Sequence, residues 1–166
     1  GGSLTIEGTT PYSNMGWTDS MVQLGAWGNS DHGEYKMTLE VDGGSLVATN
    51  VLTDRSPIKN ATINVAHSKA TGELNISTNG GSIAAHTIQV GFDAAYRSTG
   101  TVNVAAGTLS ATSLYVGNSS RGVVNVSGGE LNMNTNGQLR IGYRRTNVNS
   151  PQQGGPEMGS TNAWPT

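Results

Sequence analysis

A repeat with a period near 25 residues constrains this chain more than any other feature. Its clearest element is an apolar–X–apolar triplet. The triplet occurs as Val22-Gln23-Leu24, Ile63-Asn64-Val65, Ile88-Gln89-Val90, Leu114-Tyr115-Val116 and Leu139-Arg140-Ile141. Glycine follows every copy except the second, which is followed by Ala66. Successive copies are 41, 25, 26 and 25 residues apart.

Two further motifs recur in a fixed order within each period. One places asparagine between apolar residues, as in Leu74-Asn75-Ile76, Val102-Asn103-Val104 and Val124-Asn125-Val126, with Leu39-Glu40-Val41 as a divergent copy. The other is a glycine turn followed by an apolar residue, as in Gly43-Gly44-Ser45-Leu46 and Gly128-Gly129-Glu130-Leu131. Each motif is too short for a helix and alternates with a period of two, which is typical of β-strands. The pattern predicts three short strands per period and little helix.

Three strands in a period of this length predict an all-β fold, a right-handed parallel β-helix (β-solenoid) of about four to five coils. Each coil would add one strand to each of three parallel sheets, with coils about 4.8 Å apart. The apolar flanks of the triplets, such as Leu74 and Ile76 or Leu114 and Val116, would face inward. Glycines would form the corners, where positive φ angles are common.

The repeat covers most of the chain but not all of it. We expect a β-helix domain over residues 1–145 with long loop insertions at 7–20 and 50–60. Residues 146–166 are rich in Pro, Gly, Ser and Asn, which predicts a tail or linker. A tail that folds back as a cap, anchored by Trp164, is the alternative. The chain starts at Gly1 without an initiator Met, so we expect it to be tethered to other modules of a larger polypeptide.

The segments Gly100-Thr101-Val102-Asn103-Val104-Ala105-Ala106-Gly107-Thr108-Leu109 and Gly122-Val123-Val124-Asn125-Val126-Ser127-Gly128-Gly129-Glu130-Leu131 carry a resemblance. They resemble the repeats of bacterial autotransporter passengers and of PEP-CTERM-associated extracellular proteins. The resemblance is good over residues 61–145 and loose over residues 1–60. It implies a right-handed parallel β-helix outside the cytoplasm, extracellular or on the cell surface. It brings no catalytic residues with it.

Composition removes several function classes. Net charge is −2 and only 12% of residues are charged, so we expect no nucleic-acid partner. No apolar run approaches 18 residues, so we expect no membrane span. Without cysteine the chain has no disulfide, zinc-thiolate site or thiol nucleophile.

The candidate site combines the outward side chains of the repeated triplet with the loops that follow it. Aromatic rings stack on sugar faces, whereas amides and arginines bind hydroxyls and carboxylates. The predicted ligand-binding set is Trp27, Gln89, Tyr96, Arg97, Tyr115, Arg121, Arg140 and Tyr143. A second candidate patch on the insertions is Tyr12, Trp17, Asp54, Arg55 and Lys59. Trp17 and Trp27 have an alternative role as caps of an open helix end.

We therefore expect a non-catalytic module that binds a cell-wall polysaccharide such as xylan or pectin. The main alternative is a structural or adhesive segment of a bacterial surface protein, and a lyase or hydrolase fragment is a third. The acidic residues are scattered, with Asp19, Asp31 and Asp54 the closest to a cluster, and His32, His67 and His86 lack ligand spacing. No metal site or cofactor is predicted; calcium stays an open alternative that no motif in the sequence indicates. The column Glu40, Asn75, Asn103 and Asn125 is expected to be a structural amide ladder.

Overall fold

The structure, a computed structural model, describes residues 2–8, 21–24, 36–50, 61–67, 70–92, 98–118 and 120–142. These residues form β-strands joined by short turns, so the all-β prediction is confirmed for them. The strands are β1 (Ser3–Gly8), β2 (Met21–Leu24), β3 (Lys36–Val41), β4 (Ser45–Asn50), β5 (Thr62–His67), β6 (Thr71–Ile76), β7 (Ser82–Phe92), β8 (Thr99–Val104), β9 (Thr108–Asn118), β10 (Arg121–Val126) and β11 (Glu130–Ile141). β1 includes Gly8 and β4 includes Asn50, so the first residues of the insertions predicted at 7–20 and 50–60 belong to strands; the remaining residues of both insertions lie outside the described residues.

The strands lie in two sheets, and every pairing between them is parallel. The first sheet has the order β10-β8-β6-β3. The second contains β1, β4, β7, β5 and β2 in that order, with β9 added to β7 and β11 added to β9. Neighbouring strands in either sheet are distant in sequence. For example, Thr71 pairs with Thr99, and Thr99 pairs with Arg121. Each strand is thus separated from its partner by one passage of the chain through both sheets.

The pairing register follows the repeat of the sequence. The last residue of each apolar–X–apolar triplet pairs with its counterpart in the next copy: Leu24 with Val65, Val65 with Val90, Val90 with Val116, and Val116 with Ile141. The asparagine motif behaves in the same way, since Asn75 pairs with Asn103 and Asn103 with Asn125. The spacing of the repeated motifs therefore predicts the pairing register correctly.

The second and third motifs of a period do not always form separate strands, contrary to our expectation of three short strands throughout. They are separate in β4 and β5, but β7, β9 and β11 each run through both. In β7 the alternation of buried and half-buried residues slips by one at His86 and Thr87, which both face outward. The strand is continuous through this slip, so it joins the two motifs without a turn between them.

The core lies between the two sheets and consists of the aliphatic side chains predicted to face inward. Leu74, Leu114 and Ile76 are at most 1% exposed, and Val116 is 6% exposed. One inward position of the first sheet is glycine because of close backbone contact. A Cβ atom on Gly100 would lie 2.3 Å from the Val65 carbonyl oxygen and 2.4 Å from the Gly91 nitrogen. The two sheets converge here too closely for any side chain.

Candidate functional site

The outward side chains of the triplets form a single column across the second sheet. Gln23 pairs in register with Asn64, Asn64 with Gln89, Gln89 with Tyr115, and Tyr115 with Arg140. The column is thus aligned as the sequence predicted. Its accessibility is not uniform: Asn64 is buried, Gln89 and Tyr115 are half-buried, and Arg140 is exposed. Asn64 was expected to be accessible, and its burial separates the half-buried Gln23 on β2 from the accessible residues on β7, β9 and β11.

Tyr115 and Arg140 are in direct contact within this column. The guanidinium carbon of Arg140 lies 5.8 Å from the centroid of the Tyr115 ring, a distance at which a cation is attracted to the ring face. Because the two residues are register partners on β9 and β11, the sheet fixes their separation. The guanidinium of Arg140 is therefore exposed to solvent while one of its faces contacts the Tyr115 ring.

Arg121 belongs to the predicted site but lies on the first sheet. It is the exposed first residue of β10 and pairs with Thr99 of β8. Its backbone N–H donates to the Ser98 carbonyl oxygen at 3.1 Å, and the Ser98 N–H donates to Ser120 Oγ at 2.9 Å. Arg121 therefore starts a strand that follows the corner after β9, and it is not in the column of Tyr115 and Arg140.

The first sheet carries the predicted amide ladder over Asn75, Asn103 and Asn125. Glu40, the fourth predicted member, is the register partner of Asn75, but the carboxylate that bonds to the amides is that of Glu73. Asn125 Nδ2 donates to Asn103 Oδ1 at 2.8 Å, and Asn103 Nδ2 donates to Asn75 Oδ1 at 2.8 Å. Glu73 Oε1 accepts from Nδ2 of both Asn75, at 3.3 Å, and Asn103, at 3.2 Å. Glu73 Oε2 also lies 3.4 Å from the ammonium nitrogen of Lys36. These contacts link Lys36, Glu73 and the three asparagines into one polar network on this face.

A polar cluster at the turns between the sheets was not predicted. Ser77 Oγ and Asn79 Nδ2 both donate to Asp42 Oδ1, the latter at 2.9 Å, and the Asn79 N–H donates to Ser77 Oγ at 3.1 Å. These hydrogen bonds, with that from Ser77 the stronger cause, hold the pKa of Asp42 below its usual value. The cluster joins two successive turns. Sequence reasoning missed it because the residues belong to different copies of the repeat.

Histidines and acids do not assemble into a metal site within the described segments, where no group of three His, Asp or Glu residues comes together. His86 lies where the alternation of β7 slips by one residue, and partial burial lowers its pKa. His67 packs against Phe92, with ring centroids 5.2 Å apart. Asp19, Asp31, Asp54 and His32 lie outside the described residues.

Several predicted site residues cannot be placed in this geometry. Of the main set, Trp27, Tyr96, Arg97 and Tyr143 lie outside the described residues. The same holds for the whole second patch, Tyr12, Trp17, Asp54, Arg55 and Lys59. The structure therefore brings together Gln89, Tyr115 and Arg140 and places Arg121 on the other sheet.

The chain was compared with family models, curated proteins and solved structures, and no match was found in any of the three. Among the described segments there is no helix with the length and apolarity needed to cross a bilayer.

Proposed function

We propose that this chain is a right-handed parallel β-helix of four to five rungs that binds a cell-wall polysaccharide non-catalytically outside the cell. A rung here means one passage of the chain through both sheets. The all-parallel pairing and the offset of one repeat period between paired strands support the β-helix. The merging of the second and third strands is compatible with it, because two consecutive outward residues such as His86 and Thr87 can carry a β-helix strand from one face to the next. The resemblance of residues 61–145 to bacterial extracellular repeats supports the location.

The observation that carries the binding proposal is the accessible column of Gln89, Tyr115 and Arg140. Its side chains are register partners on neighbouring parallel strands, so they follow one another at about 4.8 Å from rung to rung. A linear polymer lying across successive rungs, perpendicular to the strands, would meet an amide, an aromatic hydroxyl and a guanidinium in turn. Such a rigid row costs little conformational entropy on binding, because the sheet fixes its spacing before the ligand arrives.

The chemistry of the column favours an acidic sugar over a neutral one. The Arg140 guanidinium covers one side of the Tyr115 ring, which leaves less of the ring face for a pyranose. The exposed group of the column is instead the Arg140 guanidinium, whose N–H donors lie beside the Tyr115 ring. Guanidinium groups bind carboxylates through paired hydrogen bonds. A uronate-containing polymer of the pectin type fits these donors better than an uncharged xylan.

The proposal is tested by affinity electrophoresis of the full chain in gels containing polygalacturonate, xylan or no polymer. We expect retardation by polygalacturonate. Arg140→Gln and Tyr115→Ala should each weaken binding at least tenfold, as expected of central binding residues. Thr101→Ala is the matched control, because Thr101 is a half-buried outward residue of β8 on the first sheet.

Two results would overturn the proposal. If neither polymer retards the chain, the structural or adhesive role becomes the better explanation. If polygalacturonate retards the Arg140→Gln and Thr101→Ala variants equally, the column is not the site. Release of reducing ends or unsaturated products from the polymer would instead indicate the lyase or hydrolase alternative.

A further inference from the structure

We propose that Asn136 is a modification site, at which the chain deamidates itself through a cyclic imide. The proposal does not depend on the nature of the bound polymer. It rests on a comparison within the molecule, because asparagine precedes glycine at two places and both lie in the same tripeptide. These are Thr78-Asn79-Gly80 and Thr135-Asn136-Gly137. The structure holds the first asparagine by hydrogen bonds and leaves the second exposed.

The reaction requires only the chain and water. The backbone nitrogen of Gly137 attacks Cγ of Asn136 and forms a new N–C bond, and Nδ2 leaves as ammonia with the proton that the backbone nitrogen gives up. Water then opens the succinimide ring at either of its two carbonyl carbons. One opening gives aspartate, and the other gives isoaspartate, in which the main chain runs through Cγ. Either product adds one negative charge to a chain whose net charge is −2.

The attacking residue is required by the structure to be a glycine. β11 carries a bulge, in which residues 134–137 lie opposite Thr112 of β9. A Cβ atom on Gly137 would lie 2.6 Å from the Asn134 carbonyl oxygen and 2.9 Å from the Thr112 carbonyl oxygen. The bulge therefore excludes a side chain at the position whose nitrogen attacks. A backbone nitrogen without a side chain beside it is the least hindered nucleophile that a peptide offers.

The same bulge favours asparagine at the position before the glycine. Asn136 has a φ of 64°, and asparagine is one of the few residues other than glycine that adopt this left-handed conformation readily. Its side chain is exposed, so water has access to the amide. The bulge also interrupts the regular pairing with β9, which leaves this part of the backbone without a continuous ladder of register partners. Both members of the reactive pair are thus selected by the local fold.

Asn79 has the same neighbours in sequence but is held on both sides of the bond that would form. Its Nδ2 donates to Asp42 Oδ1 at 2.9 Å, and its backbone N–H donates to Ser77 Oγ at 3.1 Å. The N–H of Gly80, which would have to attack, donates to the Ser77 carbonyl oxygen at 3.0 Å. The Gly80 carbonyl oxygen in turn accepts from the Gly43 N–H at 2.7 Å. Cyclisation would break hydrogen bonds of this turn, so we expect Asn79 to keep its amide.

Incubation of the full chain in mildly alkaline water enriched in a heavy oxygen isotope tests the proposal. Ring opening incorporates one heavy oxygen, and peptide mapping by mass spectrometry locates it. We expect Asn136 to deamidate at least tenfold faster than Asn79 in the folded protein, with isoaspartate among the products. In denaturant the two rates should converge, because the tripeptides are identical.

Three results of this experiment would overturn the proposal. Equal rates in the folded chain would show that the two environments do not differ in their effect. Aspartate as the sole product would indicate direct hydrolysis of the amide, which forms no ring. A difference that persists unchanged in denaturant would mean that the flanking sequence, and not the fold, distinguishes the two sites.

The substitution Asp42→Ala tests the contact that protects Asn79. It removes the acceptor of the Asn79 amide, so deamidation of Asn79 should accelerate at least fivefold while the rate at Asn136 stays the same. Asn136 thus reports in the same molecule that the fold is intact. Glu40→Ala is the matched control, because Glu40 is an exposed carboxylate on β3 that takes no part in these hydrogen bonds, and it should change neither rate. An unchanged rate at Asn79 in Asp42→Ala would contradict the proposed basis of the contrast between the two sites.

Discussion

The substitution Asn103→Asp tests whether the amide ladder stabilises the first sheet. It keeps the size of the side chain and the oxygen that accepts from Asn125, but it replaces the Nδ2 donor by an oxygen. The hydrogen bonds to Asn75 Oδ1 at 2.8 Å and to Glu73 Oε1 at 3.2 Å are lost. Each is worth about 1 kcal/mol net. The new carboxylate also faces the Glu73 carboxylate at about 3 Å, which adds about 1–2 kcal/mol of repulsion at this half-exposed position.

The expected loss of unfolding free energy at neutral pH is therefore about 3–4 kcal/mol, or a fall in Tm of roughly 10 °C for a domain of this size. The repulsive part depends on pH. Two facing carboxylates raise each other's pKa in the folded state above the unfolded value. The stability deficit is then largest at neutral pH and shrinks as the pH falls toward about 4, where the carboxyl groups protonate.

Thermal melts followed by circular dichroism between pH 4 and pH 7 measure both parts. A Glu73→Gln background should recover about 1–2 kcal/mol of the loss at pH 7, because it removes the facing charge while keeping an acceptor oxygen. Asn125→Asp is the control, since Asn125 donates one hydrogen bond at the end of the ladder. A deficit of Asn103→Asp that is the same at pH 4 and pH 7, and unchanged by Glu73→Gln, would refute the reasoning.

Three further predictions follow from burial and backbone geometry. Leu46→Ala should cost about 2–5 kcal/mol of unfolding free energy and Leu4→Ala, its register partner, under about 1 kcal/mol, because they are 3% and 56% exposed; equal losses in urea titrations would contradict the core assignment. Gly100→Ala should lower Tm more than Gly142→Ala. The new Cβ at position 100 would lie 2.3 Å from a backbone oxygen, whereas at position 142 it meets no atom within 4 Å and the only cost is the positive φ of 68°. Because the pKa of His86 is lowered in the folded state, the unfolded chain binds the proton first and the free energy of unfolding falls as the pH drops below about 6.5. His86→Gln should make this fall less steep. An unchanged slope in pH-dependent melts would show that His86 is not responsible.

The register of the fold could be predicted because the repeat is expressed in the side chains that pairing aligns. Leu24, Val65 and Val90 occupy equivalent positions in the sequence, and burial requires them to occupy equivalent positions in the sheet. A slip of one residue would turn every apolar residue outward. The amide ladder followed for the same reason, since Asn75, Asn103 and Asn125 share one motif.

Features that depend on several copies at once could not be read from one motif. The merging of strands in β7 depends on a one-residue slip in alternation, which resembles an ordinary polar pair in sequence. The burial of Asn64 interrupts a column in which its two neighbours, Gln23 and Gln89, are similar amides that are only half-buried. The Asp42 cluster requires two turns to lie side by side. Each of these arises from packing between copies of the repeat.

The two polar columns differ in what a ligand would have to displace. On the first sheet the amides of Asn75, Asn103 and Asn125 already bond to one another, so a ligand that took their donors would break existing hydrogen bonds. On the second sheet Arg140 is exposed, and its guanidinium carbon lies 5.8 Å from the centroid of the Tyr115 ring. If a carboxylate binds there, as we propose, it can form charge-assisted hydrogen bonds with the exposed guanidinium while the Tyr115 ring stays on its other side. The Tyr115–Arg140 column thus presents a charged donor group at an exposed position, whereas the amide ladder presents neutral amides that already bond to one another.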